Sequence, residues 1–467
     1  MSWNGNLILA ITASAVGSAF QHGYHTGVLN NPQKVMTKWL NESMTERGQS
    51  TDEQTINLVW STTTAIYAFG GMLGGLFVGY VADFLGLKKA IIFNNLFIFI
   101  STVLVLLSKY TGIYELLILA RLILGLNSGL YAGLCPMYLV EISPVASRGA
   151  ISSVYQLIIT ISILIAQVLG YEGAIGGEDT WPILVGVVML VPSIFQCITM
   201  PFCPESPRYL LISKKDTAKA NEALKWLRKK DDNAADIAEM QKEAAAQEAA
   251  GHVTWKAMFT KRSLRSPLII SIIIMLAQQL SGVNAIVVYS NEIFRNAGMN
   301  DMYASIGTVV MGIVNVIMTV VSVVLVDKLG RKTLLIAGFT GTTTFMVLLA
   351  ISIKFSEDYF AMGVLCIIFV LAFMVSFATG PGSVPWFLVS ELFKQDARPK
   401  ATSLGVFTNW GANTFVMLVF LPIKFYLGYF VFIIFIVCQL LFLVFIIFKV
   451  PETKNRPIEE ITALFSD

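Results

Sequence analysis

Apolar stretches of about 20 residues, nearly free of charge, recur from one end of this 467-residue chain to the other. Such stretches cross a bilayer as helices, because hydrocarbon offers backbone N–H and C=O groups no outside partner. They fall at roughly 7–29, 57–80, 90–108, 113–138, 150–171, 181–202, 266–290, 303–326, 333–353, 360–388, 401–422 and 427–449. Composition agrees: 13% of residues are charged, against about 25% in soluble proteins, and mean hydropathy is +0.69. The expected fold is an all-α membrane protein of twelve transmembrane helices, and its obligatory partner is the lipid bilayer. A net charge of +3 is too small to argue for nucleic acid.

The longest polar interior segment, roughly 203–264, lies between the sixth and seventh spans, and its Ala/Glu/Lys-rich part at 234–250 reads as short surface helices. If both termini and this segment share one side, that side holds 25 of the 33 basic residues, the other side seven, and Arg121 lies inside a span. The positive-inside rule then makes the richer side cytoplasmic. Asn41-Glu42-Ser43 falls in the first external loop, where Asn41 is a glycosylation acceptor. Residues 1–33 contain no Lys, Arg, Asp or Glu, so the basic part of a cleavable signal is missing and the first span is expected to be retained. Cys135, Cys197, Cys203, Cys366 and Cys438 show no CxxC spacing and read as small apolar core residues, with no zinc site or disulfide framework implied.

The two halves repeat. Asp83-Phe-Leu-Gly86-Leu-Lys88 is echoed by Asp327-Lys-Leu-Gly330-Arg331-Lys332, displaced by 244. Glu141 and Arg148 are echoed by Glu391 and Arg398, displaced by 250, and Pro204-Glu205-Ser-Pro-Arg208 by Pro451-Glu452-Thr-Lys-Asn-Arg456, displaced by 247. The organisation expected is two pseudo-symmetric six-helix bundles, 1–202 and 265–450, with a cytoplasmic helical linker at 203–264 and a tail at 451–467. Each repeated motif sets charges of both signs at the cytoplasmic ends of spans. Bridges between them, made in one conformation and broken in another, supply the differential energy a switch needs. Solvated loop-end charge is the plainer reading, but its repetition in both halves favours gating.

The chain resembles the sugar-porter branch of the major facilitator superfamily, and within it the animal facilitative glucose transporters. The resemblance runs nearly end to end. It is carried by Arg121-x-x-x-Gly125-x-x-x-Gly129, Pro204-Glu-Ser-Pro-Arg208, Gln278-Gln-Leu-Ser-Gly-Val-Asn284, Gly380-Pro-Gly-Ser-Val-Pro-Trp386 and Pro451-Glu-Thr-Lys454. It implies a transporter rather than an enzyme, needing no cofactor and no metal, in the plasma membrane. The implied activity is uniport of hexoses, D-glucose above galactose and fructose, by alternating access. A proton-coupled sugar symporter and a non-transporting sugar sensor are the alternatives. The short stretch after the last span weighs against a sensor.

The residues fit a sugar. Hexose hydroxyls both donate and accept, as side-chain amides do, while one sugar face is apolar and suits a flat aromatic. Buried amides without partners cost about 2–7 kcal/mol on transfer scales, yet they recur inside these spans. By resemblance Gln156, Gln278, Gln279, Asn284, Asn315 and Asn409 are the expected sugar contacts, with Trp386 closing the cytoplasmic side of the site and lying against the sugar. Gln167 and Ser322 read as helix-packing residues. Gln278 and Asn284 are six residues apart, roughly 240° around an ideal helix, so a break at Gly282 is needed for both to face one sugar. Gly380, Pro381, Gly382 and Pro385 predict a second break. The gating set comprises Tyr289, Asp83, Arg121, Glu141, Arg148, Glu205, Arg208, Asp327, Arg331, Lys332, Glu391, Arg398 and Glu452.

Three positions depart from the family pattern: Leu87 replaces an arginine, Ala378 a glutamate found in glucose-selective relatives, and Val288 a tyrosine, which leaves Tyr289 as the outer aromatic gate. The first departure is expected to lose an inter-helix bridge. His25 stands where relatives have asparagine and proton-coupled relatives have aspartate. It is either a satisfied interior histidine or a pH-responsive one.

Overall fold

The computed structural model describes residues 4–144, 148–250, 253–394, 397–454, 456 and 458–465. The side chains of Arg148 and Asp327 lie outside the described residues. All regular structure is helical: α1 (Gly5–Gly27), α2 (Gln33–Glu46), α3 (Glu53–Leu85), α4 (Leu87–Thr111), α5 (Tyr114–Ile142), α6 (Arg148–Leu169), α7 (Leu190–Thr199), α8 (Thr217–Arg228), α9 (Ala234–Ala250), α10 (Trp255–Thr260), α11 (Arg262–Leu280), α12 (Val283–Asn296), α13 (Asp301–Leu329), α14 (Arg331–Phe355), α15 (Phe360–Thr379), α16 (Val384–Glu391), α17 (Arg398–Leu427), α18 (Val431–Lys449) and α19 (Ile458–Ala463). A π-helical turn at Ile183–Val187 precedes α7 and continues the same apolar stretch.

Nine stretches among the described residues are long and apolar enough to cross a membrane. The last of them, Arg398–Lys449, holds two helices, α17 and α18. The 23-residue α1 and 22-residue α6 are also long enough to cross, since about 20 helical residues match the hydrocarbon core. Side chains such as Tyr80, Phe84 and Phe448, at least 78% exposed, mark surface built for lipid rather than water. This is a multi-pass membrane protein. The polar loop expected between the first two spans contains a helix, α2, with an apolar face of Val35, Met36, Trp39, Leu40 and Met44 buried.

Contacts divide the chain into two compact units. One comprises Met1–Thr26, Phe69–Ile163 and Pro182–Gly251, the other Gly27–Ala68, Leu164–Trp181 and His252–Asp467. In the first, α3 and α5 approach until only glycine fits. A Cβ on Gly70 would lie 2.3 Å from the Leu122 carbonyl oxygen, and one on Gly129 2.2 Å from that of Gly71. The glycine spacing after Arg121 is therefore a packing device, as small residues in spans commonly are. Amides also clamp this unit. Asn94 and Asn127 each donate to the other's backbone carbonyl at 2.9 Å, and Gln196 donates to Ser18 Oγ and to the carbonyls of Ala13 and Ser14 while accepting from Asn95 and Tyr131. In the second unit Gln439 plays the matching part from α18, donating to the Ser281 carbonyl at 3.1 Å and accepting from Thr342.

Candidate functional site

Gly282, with φ +86°, separates α11 from α12 at the position where the sequence demands a break. The second break is also present, since α15 stops at Thr379 and α16 resumes at Val384. Gln278 connects the two breaks: its Nε2 donates to the carbonyls of Pro381 at 2.9 Å and Gly382 at 2.8 Å. Its Oε1 accepts from Asn409 Nδ2 at 2.7 Å, Asn409 Oδ1 accepts from Gln279 Nε2 at 3.0 Å, and Gln279 Oε1 accepts from Asn284 Nδ2. Four of the expected amides thus form one continuous chain of hydrogen bonds, carried by α11, α12 and α17. Gln278, Gln279 and Asn409 are buried and Asn284 is half-buried.

Trp386 sits on α16, 40% exposed, four residues beyond the loop that Gln278 holds. Asn315 is half-buried on α13, where its backbone carbonyl accepts from Thr319. Gln156 is exposed on α6, which lies in the first unit up to Ile163. Gln167 is fully buried, and its Oε1 lies 2.2 Å from where a Gly312 Cβ would stand. That tight approach suits helix packing.

Beyond the break, α12 is tied on several sides. Tyr289, fully buried, shares a 2.8 Å hydrogen bond with Thr64 and stacks on Phe420 at 5.3 Å. Asn30 donates to the Val287 carbonyl and Ser290 Oγ, while Asn291 donates to Asn31 and Ser305. Glu292 receives Lys424 Nζ at 2.6 Å on one oxygen and Gln33 Nε2 on the other. Of these residues only Tyr289 was expected. The others are isolated polar residues near span ends, and nothing in their spacing joins positions up to 261 residues apart.

The repeated charge motifs build the same clasp twice. Gly86 (φ 82°, ψ 164°) and Gly330 (φ 89°, ψ 161°) precede α4 and α14 in matching conformations. In the second unit Glu452 accepts from the backbone N–H of Arg331 at 2.9 Å and of Lys332 at 3.0 Å. In the first, Glu205 accepts from that of Lys88 at 2.9 Å. Each carboxylate thus caps the positive end of a helix. Ser206 donates to Glu141 and Thr453 to Glu391, completing the parallel. The units differ at one side chain. Arg331 grips Glu391 through Nε at 3.1 Å and Nη2 at 2.8 Å, whereas Leu87, at the matching position, is an apolar residue in the core of the first unit. Arg208 lies close enough to act on Glu141 electrostatically, and Arg398 Nη2 donates to the Phe393 carbonyl at 3.2 Å. Asp83 lies at the last turn of α3, where its backbone carbonyl accepts from the Tyr209 hydroxyl at 3.4 Å.

Burial alone raises the Glu452 pKa, but N–H donors from Lys454, Arg331, Lys332 and Thr333 outweigh it and hold the carboxyl below its ordinary range. The cap is therefore complete above the usual carboxylate pKa and is lost only as pH falls through the lowered value. Gly330→Ala should break this clasp. Its backbone lies in a region open almost only to glycine, at a cost of about 1–3 kcal/mol for other residues, and the added Cβ would stand 2.7 Å from Glu452 Oε2. Thermal unfolding in detergent checks this against Gly79→Ala, whose Cβ would meet nothing within 4 Å. The first variant should melt several degrees lower, about 2–4 °C per kcal/mol, and the second should not.

His25 is fully buried, and its backbone carbonyl accepts from Arg121 Nη1 at 3.1 Å. The intramembrane guanidinium thus finds a backbone partner on α1.

Comparison with known proteins settles what this framework is. The sugar (and other) transporter family profile matches residues 10–465. This chain belongs to that family. It is a membrane transporter, not an enzyme. It is 43% identical over 461 residues to the facilitated glucose transporter member 3 of solute carrier family 2 from Ovis aries, and 42% identical to that of Homo sapiens, in each case covering 98% of this chain and 92% of the relative. Its fold matches the xylose transporter XylE from E. coli in a partially occluded inward open conformation, with TM-score 0.80, 23% identity, and 97% and 100% of the two chains covered. A second match is XylE, a proton:xylose symporter, bound to 6-bromo-6-deoxy-D-glucose, with TM-score 0.78 at 24% identity over 99% and 100% of the chains. The major facilitator fold is thereby established for this transporter.

Proposed function

We propose that this transporter carries hexoses, D-glucose foremost, down their concentration gradient across the plasma membrane by alternating access. The observation that carries this reading is the amide chain Gln278–Asn409–Gln279–Asn284, placed beside two broken helices. A line of groups that both donate and accept suits a ring of hydroxyls, and broken helices are where transporters of this type hold substrate. Asn315 and Trp386 are further proposed sugar contacts of the second unit and Gln156 of the first, and the name shared by the mammalian relatives, facilitated glucose transporter, points the same way. The halves at 1–202 and 265–450, the linker at 203–264 and the tail at 451–467 are its proposed parts, with termini and linker cytoplasmic. Asn41, exposed on α2, would then face outward for glycosylation. The repeated clasps and Tyr289 act as gates.

Uniport rather than proton symport follows from the first span. α1 contains no acidic residue, so it offers no carboxylate to take up and release a proton against Arg121, one of whose nitrogens donates to the His25 carbonyl. Counterflow of labelled sugars in proteoliposomes at two pH values tests both parts. D-glucose should equilibrate saturably without an ion gradient, L-glucose should not, and competition should rank glucose above galactose above fructose. The same result is expected of His25→Asn. Equal D- and L-glucose rates would remove the sugar site, and uphill uptake driven by an inward proton gradient would replace uniport with symport.

A further inference from the structure

Among the described residues α12 makes charged contacts at two places: Arg295 Nη1 lies 3.7 Å from the half-exposed Asp301 at the helix end, and Glu292 lies in more sheltered surroundings. At Glu292 a carboxylate joins three elements: Lys424 Nζ of α17 meets Oε1 at 2.6 Å, and Gln33 Nε2, at the start of α2, meets Oε2. The pair is shielded, with 16% and 21% side-chain exposure, whereas the nearby Lys34–Asp301 and Lys38–Glu178 pairs are 54–61% exposed. Exposed pairs contribute little to holding structure together, and shielded ones with both oxygens used contribute more. Glu292 lies three residues beyond Tyr289 and eight beyond Asn284, near the end of α12. It therefore fixes the far end of the half-helix that carries a proposed sugar contact and the proposed outer gate.

We propose that Glu292 is a positioning residue for transport. Its bridge to Lys424 and Gln33 latches α12 in the closed position of the outer gate, and its release is part of each opening toward the side that bears α2. This rests on the gating reading above for what the latch controls, but the latch can be tested without sugar. Ser61, fully buried on α3 one turn before Thr64, supplies the reporter. In the full-length Ser61→Cys chain in intact cells, the rate of modification by a membrane-impermeant maleimide reads opening, with the chain lacking Ser61→Cys as blank.

Glu292→Gln and Lys424→Gln should each raise that rate about fivefold or more, the lower end of typical coupling between linked states. The charge-swapped Glu292→Lys/Lys424→Glu chain should return to within about twofold of the parent, since the pair is restored. Acceleration in neither or only one single variant overturns the proposal, because a pair loses its hold from either side. A swapped chain as fast as the singles also overturns it. Glu292→Asp, which keeps the charge but shortens the reach, takes the place of Glu292→Gln if that variant does not fold, with the same outcomes. Because labelling needs no hexose, a failed counterflow assay with a working latch refutes the substrate alone, and the converse result refutes the latch alone.

Discussion

Gln278→Ala should raise the half-saturation concentration for D-glucose about 5- to 150-fold, corresponding to about 1–3 kcal/mol for leaving buried polar groups unpaired. In this structure the Gln278 amide already binds the carbonyls of Pro381 and Gly382 and the side chain of Asn409. Its loss strands two carbonyl oxygens at the α15–α16 break and releases Asn409 from the chain that orients Gln279 and Asn284. Affinity should fall both through a lost partner and through a loosened neighbourhood. Asn409→Ala should therefore combine with Gln278→Ala less than additively, because both cut the same network. Binding titrations on purified single and double variants measure this. A shift below about twofold, roughly 0.4 kcal/mol, would remove Gln278 from the site.

The second large effect is expected in stability. Glu391→Ala leaves Arg331, its side chain only 16% exposed, without the carboxylate that holds it by two nitrogens. Hydrogen bonds to charged groups contribute about 1.5–3 kcal/mol each, and a shielded charge that loses its carboxylate adds its own penalty. We expect a loss of about 3 kcal/mol and a melting temperature lower by about 6–12 °C for a unit of this size. Glu141→Ala removes the counterpart in the first unit, where Leu87 offers no guanidinium, and should cost less. Installing Leu87→Arg should narrow that difference, by giving Glu141 the grip that Glu391 has. Equal melting shifts for the two alanine variants would show that the arginine contributes nothing to the second clasp.

Much of the architecture was legible because the bilayer demands long apolar helices and a transporter demands breaks in them. The Gly380–Gly382 run announced one break through its composition, and the other was expected at Gly282 because Gln278 and Asn284 were both expected to face one sugar. The twin clasps were visible as repeated charges, although the sequence suggested side-chain bridges where the structure places the carboxylates of Glu205 and Glu452 on backbone N–H groups. The individual amides of the proposed site were also visible. That Gln278, Asn409, Gln279 and Asn284 would satisfy one another was not, because hydrogen bonds between distant spans leave no periodic trace. The same holds for Gln196 and Gln439, which are buried amides that serve as clamps. Helix α2 was read as loop because its 14 residues are too few to span and only one face is apolar.

The capping clasps also impose a schedule on synthesis. The N–H of Lys88 waits for Glu205, 117 residues later in the chain, and that of Arg331 waits for Glu452, 121 residues later. At about 5–20 residues per second, each helix start stays uncapped for roughly 6–24 s while the ribosome supplies its carboxylate. The first half obtains its cap before most of the second half has been made. A nascent chain halted between residues 88 and 205 would hold an unfinished hairpin, whereas one halted just past Glu205 already carries everything the first clasp requires.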